Sequence, residues 1–254
     1  MNGKSKKPEA ATKAPAPPAL PLFYSKPAPV TASSFGGKSL ASPAKLTFSC
    51  ATNSIPLNIA EFALAQRFYP IVFSAAGETY PLAIVGLKDK ENLFVDENGR
   101  WERDAYVPAY VRRYPFILMG GPGEKQFTLC AETDTDLVVK GDKNPFFRDG
   151  KASALIDRAL KFCSAFQSNY EKTREFCAAL AAHDLLLARN AQVKLSSGKK
   201  AVLGPFRVID RAKFAKLPDT TVAEWHRRGW LGAIHAQLFS ESNWPGLARK
   251  MKAA

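Results

Sequence analysis

The chain has 254 residues, 46% of them hydrophobic and 23% charged, so it can bury a sizeable core in one large or two small domains. No apolar run reaches the roughly 18 residues that a membrane-spanning helix needs. No apolar stretch of about 7–15 residues follows the basic N-terminus, so a secretory signal is not expected. The formal net charge of +13 allows attraction to phosphates, nucleic acid or anionic lipid.

Residues 1–40 differ in composition from the rest of the chain. They contain seven prolines and six lysines against one glutamate, with few aromatic residues. Such a segment buries too little apolar area to offset the entropy lost on ordering. We therefore predict a disordered, basic, partly polyproline-II tail over residues 1–40 and a single folded domain over residues 41–254.

The first part of the predicted domain is typical of short strands separated by turns. Asn58 followed by Glu61 has the spacing of a capping box for a short helix that ends near Gln66. Asp96–Gly99 is predicted to be a turn, and Asp104–Arg113 a short helix with Pro108 in its first turn. The predicted strands are Lys45–Cys50, Ile71–Phe73, Tyr80–Leu87, Leu93–Val95, Tyr114–Met119, Phe127–Cys130 and Leu137–Val139.

The second part changes to helical periodicity. Apolar residues recur every three or four positions across Ser153–Ala182, which predicts one long helix with a buried face. A hairpin is expected next, followed by a helix capped by Thr221–Glu224 and ended by Gly229. The predicted hairpin strands and last helix are Gln192–Leu195, Val202–Val208 and Trp230–Phe239. Short antiparallel strands first and helices with one late hairpin afterwards indicate an α+β fold.

The four cysteines predict neither a disulfide nor a zinc site. None belongs to a Cys-x-x-Cys pair, and Cys163 and Cys177 lie about 21 Å apart along one predicted helix. We expect these two, together with Cys50 and Cys130, to be reduced and mostly buried, as in a reducing compartment.

No cofactor or metal ion is predicted. Gly36–Ser39 resembles the end of a phosphate-binding loop, but Ala32 stands where that loop requires glycine. Glu132, Asp134 and Asp136 share one face of an extended segment, and we interpret them as a solvated acidic face because no calcium-loop pattern completes them.

The most promising recognition surface lies in one aromatic and basic stretch. It contains Trp101, Tyr106, Tyr110, Arg112 and Arg113, and these residue types dominate binding hot spots. The same tyrosines and prolines could equally serve as core and turn residues.

Two segments mix basic and aromatic residues in a way that suits stacking on single-stranded nucleic acid. They are Arg112–Tyr114 and Trp225–Trp230. No recognised nucleic-acid-binding motif accompanies them, so we favour a structural role, with arginine near a helix C-terminus.

Several strings within the predicted domain resemble the SapC family of bacterial proteins. The most specific is the eleven-residue string from Tyr106 to Phe116, and the resemblance runs from about Leu46 to about Leu238. The other strings are Tyr69–Phe73, Pro81–Gly86, Asn98–Trp101, His183–Leu186, Leu217–Pro218 and His226–Trp230.

The resemblance implies association with a bacterial surface layer or cell envelope, because the family takes its name from a surface-layer-associated gene. It implies no reaction, cofactor or catalytic residue. We therefore expect a non-catalytic binding or accessory protein whose partner is another protein or an envelope component. Free cysteines and the missing signal favour the cytoplasm, with signal-independent export to the cell surface as the alternative.

Two other functions remain open at this stage, and the oligomeric state is not determined. The basic charge would suit a nucleic-acid-binding protein. An enzyme of unrecognised type would need His183, Asp184, Tyr110 or Trp101 to line a pocket.

Overall fold

The computed structural model describes residues 20–120, 126–194 and 200–253. Its twelve strands are β1 Pro27–Pro29, β2 Lys38–Leu40, β3 Ser54–Pro56, β4 Ile71–Ser74, β5 Pro81–Ile84, β6 Phe116–Met119, β7 Thr128–Glu132, β8 Val138–Lys140, β9 Phe147–Arg148, β10 Lys151–Ala152, β11 Leu186–Lys194 and β12 Lys200–Ile209. Its eight α-helices are α1 Ala32–Phe35, α2 Phe62–Ala65, α3 Ala109–Arg112, α4 Ala154–Ala182, α5 Arg211–Phe214, α6 Asp219–Arg227, α7 Trp230–Ser240 and α8 Trp244–Ala253. This combination is the predicted α+β class.

The largest sheet has five antiparallel strands in the order β11-β12-β4-β5-β3. Ala83 of β5 lies opposite both Ile71 of β4 and Ile55 of β3, and all three are buried. The late hairpin prediction is confirmed by the antiparallel pair β11–β12, while its predicted tip and Leu195 lie outside the described residues. Helices α4 and α7 also contribute side chains to the core built on this sheet.

Helix α4 connects two cores because it is long. Its 29 residues span about 43 Å, and Ser153 caps its first turn through the backbone N–H of Leu155. Near its start, Ile156 packs with a smaller core built on the sheet β1-β7-β6. Near its end, Phe176 and Leu180 pack in the main core. The predicted helix over residues 153–182 is confirmed.

Helix α7 also forms as predicted. Gly229 precedes it with a φ of 72°, a left-handed conformation that glycine adopts without strain. Trp230, Ile234 and Leu238 are all buried along one face of the helix. No helix in the described part of the chain has the length and apolar character that crossing a membrane requires.

The predicted strand over residues 45–50 is wrong. This segment contains a 3-10 turn over Thr47–Ser49, and Leu46 donates its N–H to the carbonyl of Gly99 at 2.8 Å. Phe48 stacks on Tyr114 with ring centroids 4.0 Å apart. Leu46 and Phe48 are thus partly buried by packing against the core and its aromatic rings, without strand pairing.

The predicted strand over residues 93–95 is also wrong, since only Val95 makes an isolated bridge, to Trp101. Asn92 Oδ1 instead accepts the N–H of Phe94 at 3.0 Å, a local turn bond that competes with a strand ladder.

Two predicted helix starts shift to the residue after a proline. The helix predicted over residues 104–113 is reduced to α3, which begins after Pro108. Helix α6 begins at Asp219 after Pro218, so the capping box predicted for residues 221–224 does not form. Proline fixes φ and lacks an N–H group, so a helix begins beside it at little cost.

Residues 20–40 differ from the predicted disordered tail, whose first 19 residues lie outside the described part of the chain. They form β1, α1 and β2, with Phe35 stacked on Phe146 at 5.0 Å between ring centroids. Strand β1 pairs with β7, and β2 pairs with β8. Phe35 and Tyr24 therefore bury apolar area that composition averaged over the whole tail concealed.

Glu132, at the end of β7, holds this N-terminal segment in place. The prediction that its side chain is solvated is wrong, because the residue is 0% exposed. Its carboxylate accepts the backbone N–H groups of Ser25 at 2.6 Å, Lys26 at 3.0 Å and Asp134 at 2.8 Å. Burial alone would raise the pKa of this carboxyl, but these N–H donors outweigh burial and hold the pKa below its usual range.

We predict that Glu132→Gln lowers the free energy of unfolding by about 2 kcal/mol, since an amide is a weaker acceptor for three N–H groups. Urea denaturation would measure this change. A lowered native pKa stabilises the fold above the unfolded-state value of 4.5 and loses that contribution as the pH falls through the native pKa. The difference between wild type and variant should therefore shrink below about pH 4.5.

Asp134→Asn is the matched control, because its carboxylate is exposed and lies 3.8 Å from Lys26 in a surface ion pair. Equal losses for the two variants would contradict the role assigned to Glu132.

Candidate functional site

Glu61 organises the aromatic and basic stretch that the sequence singled out. The capping box predicted from Asn58 and Glu61 is present. Beyond accepting the N–H of Asn58 at 2.9 Å, the Glu61 carboxylate accepts the hydroxyl of Tyr106 at 2.9 Å and the N–H of Ala109 at 2.6 Å. Burial outweighs these donors and raises its pKa. One carboxylate thus fixes where α3 begins.

Trp101 and Tyr106 are tied into the same internal network through Tyr69. The hydroxyl of Tyr69 donates to the carbonyl of Tyr106 at 2.5 Å and accepts the indole N–H of Trp101 at 3.0 Å. Burial raises the pKa of the Tyr69 hydroxyl and, to about 12, that of Tyr106. These two predicted site residues connect loops to the core.

We predict that Glu61→Ala lowers the free energy of unfolding by about 3 kcal/mol, because three donors lose their acceptor in a buried position. Chemical denaturation followed by tryptophan fluorescence would measure the loss. Glu97→Ala is the control at an exposed turn position and should change stability by less than about 0.5 kcal/mol. A similar small change for both variants would contradict the organising role of Glu61.

A cavity of about 450 Å³ opens beside this network, between the large sheet, α3, β6 and α4. Its size falls in the range of roughly 300–1,000 Å³ typical of small-molecule sites. We call it the aromatic pocket. It is lined by Pro21, Pro56, Ser74, Ala76, Glu78, Tyr80, Leu82, Tyr110, Arg113, Ile117, Leu118, Phe166, Gln167 and Tyr170.

Aromatic rings form much of the pocket wall. Tyr80 and Tyr170 are stacked with ring centroids 5.2 Å apart and an angle of 29° between their planes. The hydroxyl of Tyr80 donates to Asn58 Oδ1 at 2.6 Å, so the pocket wall is bonded to the same capping box. Burial raises the pKa of the Tyr80 hydroxyl, which therefore stays protonated.

Arg113 brings the pocket a half-buried cation. Its guanidinium carbon lies 4.1 Å from the ring centroid of Tyr110 and 4.4 Å from that of Phe166. Cation–π attraction of this kind strengthens when the cation is removed from water. The Nε atom of Arg113 is buried and has no hydrogen-bond partner among the described residues.

The five predicted site residues thus separate into two groups. Tyr110 and Arg113 line the aromatic pocket, whereas Trp101, Tyr106 and Arg112 do not. Arg112 is exposed and donates to the carbonyl of Val107 at 3.0 Å and to the hydroxyl of Tyr106 at 3.1 Å.

The sequence did not single out Tyr80, Phe166 or Tyr170 as site residues. The only available signal was that Phe166 and Tyr170 share one apolar face of α4. Which sheet residues meet that face depends on tertiary packing, so the periodicity could not bring Tyr80 to Tyr170.

Of the residues considered for an enzyme, His183 and Asp184 lie outside the aromatic pocket. His183 packs edge-on against Trp225 with ring centroids 5.2 Å apart, and Asp184 pairs with Lys213 on the surface. Cys177 is buried, and burial raises the pKa of its thiol to about 12, which opposes thiolate formation. Within the described ranges, no group of three or more histidine, cysteine, aspartate or glutamate residues could hold a metal ion.

The rings of the second basic and aromatic segment are buried. Trp225 is 2% exposed and Trp230 is 6% exposed, and they pack on each other at 5.8 Å between ring centroids. Arg228 lies over Trp230 at 4.6 Å and pairs with Glu224 at 3.1 Å. Both rings serve as core residues, so neither is available to stack on a base.

The fold and the pocket define an α+β protein with a ligand-sized aromatic cavity that a half-buried arginine helps to line. The family model described as SapC matches residues 31–247, so the chain belongs to the SapC family. The match includes β2, which lies in the segment predicted to be disordered. No curated protein and no solved structure matches the chain.

Proposed function

We propose that this SapC-family protein is a non-catalytic binding protein that serves the bacterial surface layer or cell envelope, and that the aromatic pocket holds its ligand. The aromatic pocket, with the half-buried Arg113 in its wall, is the observation that carries the proposal. Family membership supports the envelope association, because the family is named after a surface-layer-associated gene.

The pocket's chemistry supports binding in preference to turnover. Tyr80 and Tyr110 have hydroxyls whose pKa burial raises, so neither is poised to exchange a proton near neutral pH. Both hydroxyls also donate to structural acceptors, Asn58 Oδ1 and the carbonyl of Leu22. Rings held rigidly in this way offer apolar area to a ligand with little loss of side-chain entropy.

We predict that Gln167→Trp, which adds bulk at the pocket wall, weakens ligand binding at least tenfold. The probes are three compounds with a two-ring body: 2-naphthylacetate, 2-naphthylacetamide and 2-naphthylethylamine. Their affinities would be measured by ligand-observed NMR and calorimetry. The free energy of unfolding should stay within about 1 kcal/mol of wild type, since residue 167 lies on the partly exposed side of α4.

Ser168→Trp is the matched control on the exposed side of the same helix, outside the pocket lining. It should leave the affinity unchanged. Equal affinities for wild type and both variants, or no binding of any probe, would count against the pocket as the binding site.

We further propose that the protein works in the cytoplasm. Its cysteines are free, three of them are buried, and burial raises the pKa of the Cys163 thiol to about 11. Such thiols suit a reducing compartment. In intact cells the untagged protein should resist added protease and become degradable after lysis, as followed by immunoblotting. Degradation in intact cells would support the alternative, export to the cell surface.

A further inference from the structure

We infer that the ligand of the aromatic pocket is an anion: a carboxylate attached to a flat apolar body, with the carboxylate bound by Arg113. This inference rests on the proposed function, because it names the chemical class that the same pocket takes. The carboxylate could belong to a free aromatic acid or to the C-terminus of a peptide, and the two share this chemistry.

Within the part of the chain that the structure describes, the positive charge of Arg113 at the pocket wall has no carboxylate counter-ion. Among the described residues, no carboxylate oxygen lies within 4.0 Å of the nitrogen atoms of Arg113. Glu78 is the one acidic side chain in the described pocket lining, and it pairs with Arg174 at 2.5 Å. An incoming anion therefore meets a cation that no described carboxylate neutralises.

The rings around Arg113 do not replace an anion. The π faces of Tyr110 and Phe166 attract the cation but are only weak hydrogen-bond acceptors. The Tyr110 hydroxyl interacts with the Arg113 guanidinium closely enough to offset part of the rise in its own pKa, but it is uncharged and does not neutralise the cation. The buried Nε–H of Arg113 therefore has no acceptor in the described ranges of the chain. A buried donor without a partner is costly, and a guanidinium presents its donors in a fork that matches a carboxylate.

Arg113 is also the donor best able to discriminate between ligands here. The hydroxyl of Tyr80 is committed to Asn58 at 2.6 Å and that of Tyr110 to the carbonyl of Leu22 at 3.1 Å. The rest of the wall near these rings includes the apolar side chains of Leu82 and Ile117. The lining thus suits a ligand with one anionic end and a flat apolar remainder.

Calorimetric titration with the same three naphthyl compounds tests this inference. We expect 2-naphthylacetate to bind wild type at least tenfold more tightly than the neutral amide or the amine. Arg113→Gln should reduce the affinity for the acid to about that for the amide and leave amide binding within threefold. Arg113→Lys should retain part of the preference, and it remains informative if the glutamine variant fails to fold.

Arg112→Gln is the matched control, because it removes the same charge from the adjacent residue outside the pocket. It should preserve the preference for the acid. Equal affinity of wild type for acid and amide, or equal loss in the Arg112 and Arg113 variants, would overturn the inference while leaving the pocket as a binding site. Failure of all three compounds to bind would overturn the proposed function as well.

A peptide pair distinguishes the two sources of the carboxylate. Gly-Gly-Phe with a free C-terminus and its C-terminal amide would be titrated in parallel. Tighter binding of the free peptide than of 2-naphthylacetate would support a peptide terminus, and the reverse order would support a free aromatic acid. Either order supports the inference, provided that Arg113→Gln abolishes the preference for the charged form.

Discussion

The shape of the aromatic pocket depends on the hydrogen bonds of the Asn58–Glu61 capping box. At this helix start, Asn58 accepts the hydroxyl of Tyr80, and Glu61 receives the hydroxyl of Tyr106 and the N–H of Ala109. A local cap of a few residues therefore positions a wall of the pocket and the start of α3. Because a buried carboxylate is tolerated only with its donors in place, these contacts form together.

Glu132 is also a buried carboxylate that accepts hydrogen bonds from backbone N–H groups, but its pKa shifts in the direction opposite to that of Glu61. It joins β7 to Ser25, 107 residues away in the sequence, through backbone N–H groups. Those dipoles favour the charged carboxylate strongly enough to lower its pKa, whereas burial prevails at Glu61 and raises the pKa there. The two residues show that neither burial nor hydrogen bonding alone determines the ionisation of a carboxyl group; the balance between burial and its donors does.

Sequence reasoning succeeded where structure is governed by local chemistry. The long α4, the β11–β12 hairpin, the Asn58 cap and the left-handed Gly229 follow from periodicity, capping and backbone preference. It failed at residues 45–50 and at Glu132, where distant partners satisfy the apolar and charged groups. The second failure follows from the tail assignment, since two of the three backbone N–H donors to Glu132, those of Ser25 and Lys26, belong to that segment.

The candidate site shows the same division. The aromatic and basic residue types in the sequence led us to predict Tyr110 and Arg113 as recognition residues. They also led us to predict three neighbours that serve structural contacts or lie outside the pocket. Only the fold brings Tyr80 against Tyr170 and places Phe166 beside the guanidinium of Arg113. A strand pattern and a helix pattern do not specify which side chains meet across the space between them.

The sequence by itself determined the α+β class, the SapC resemblance, the helix periods and the supply of aromatic and basic groups from which a binding site is built. Tertiary structure decided that residues 20–40 pack, that Glu132 is buried and that one arginine of an adjacent pair enters a pocket while the other faces solvent. The physical reason is that capping, turn chemistry and periodicity act over a few residues. Burial and charge compensation, by contrast, depend on groups that only the folded chain brings together.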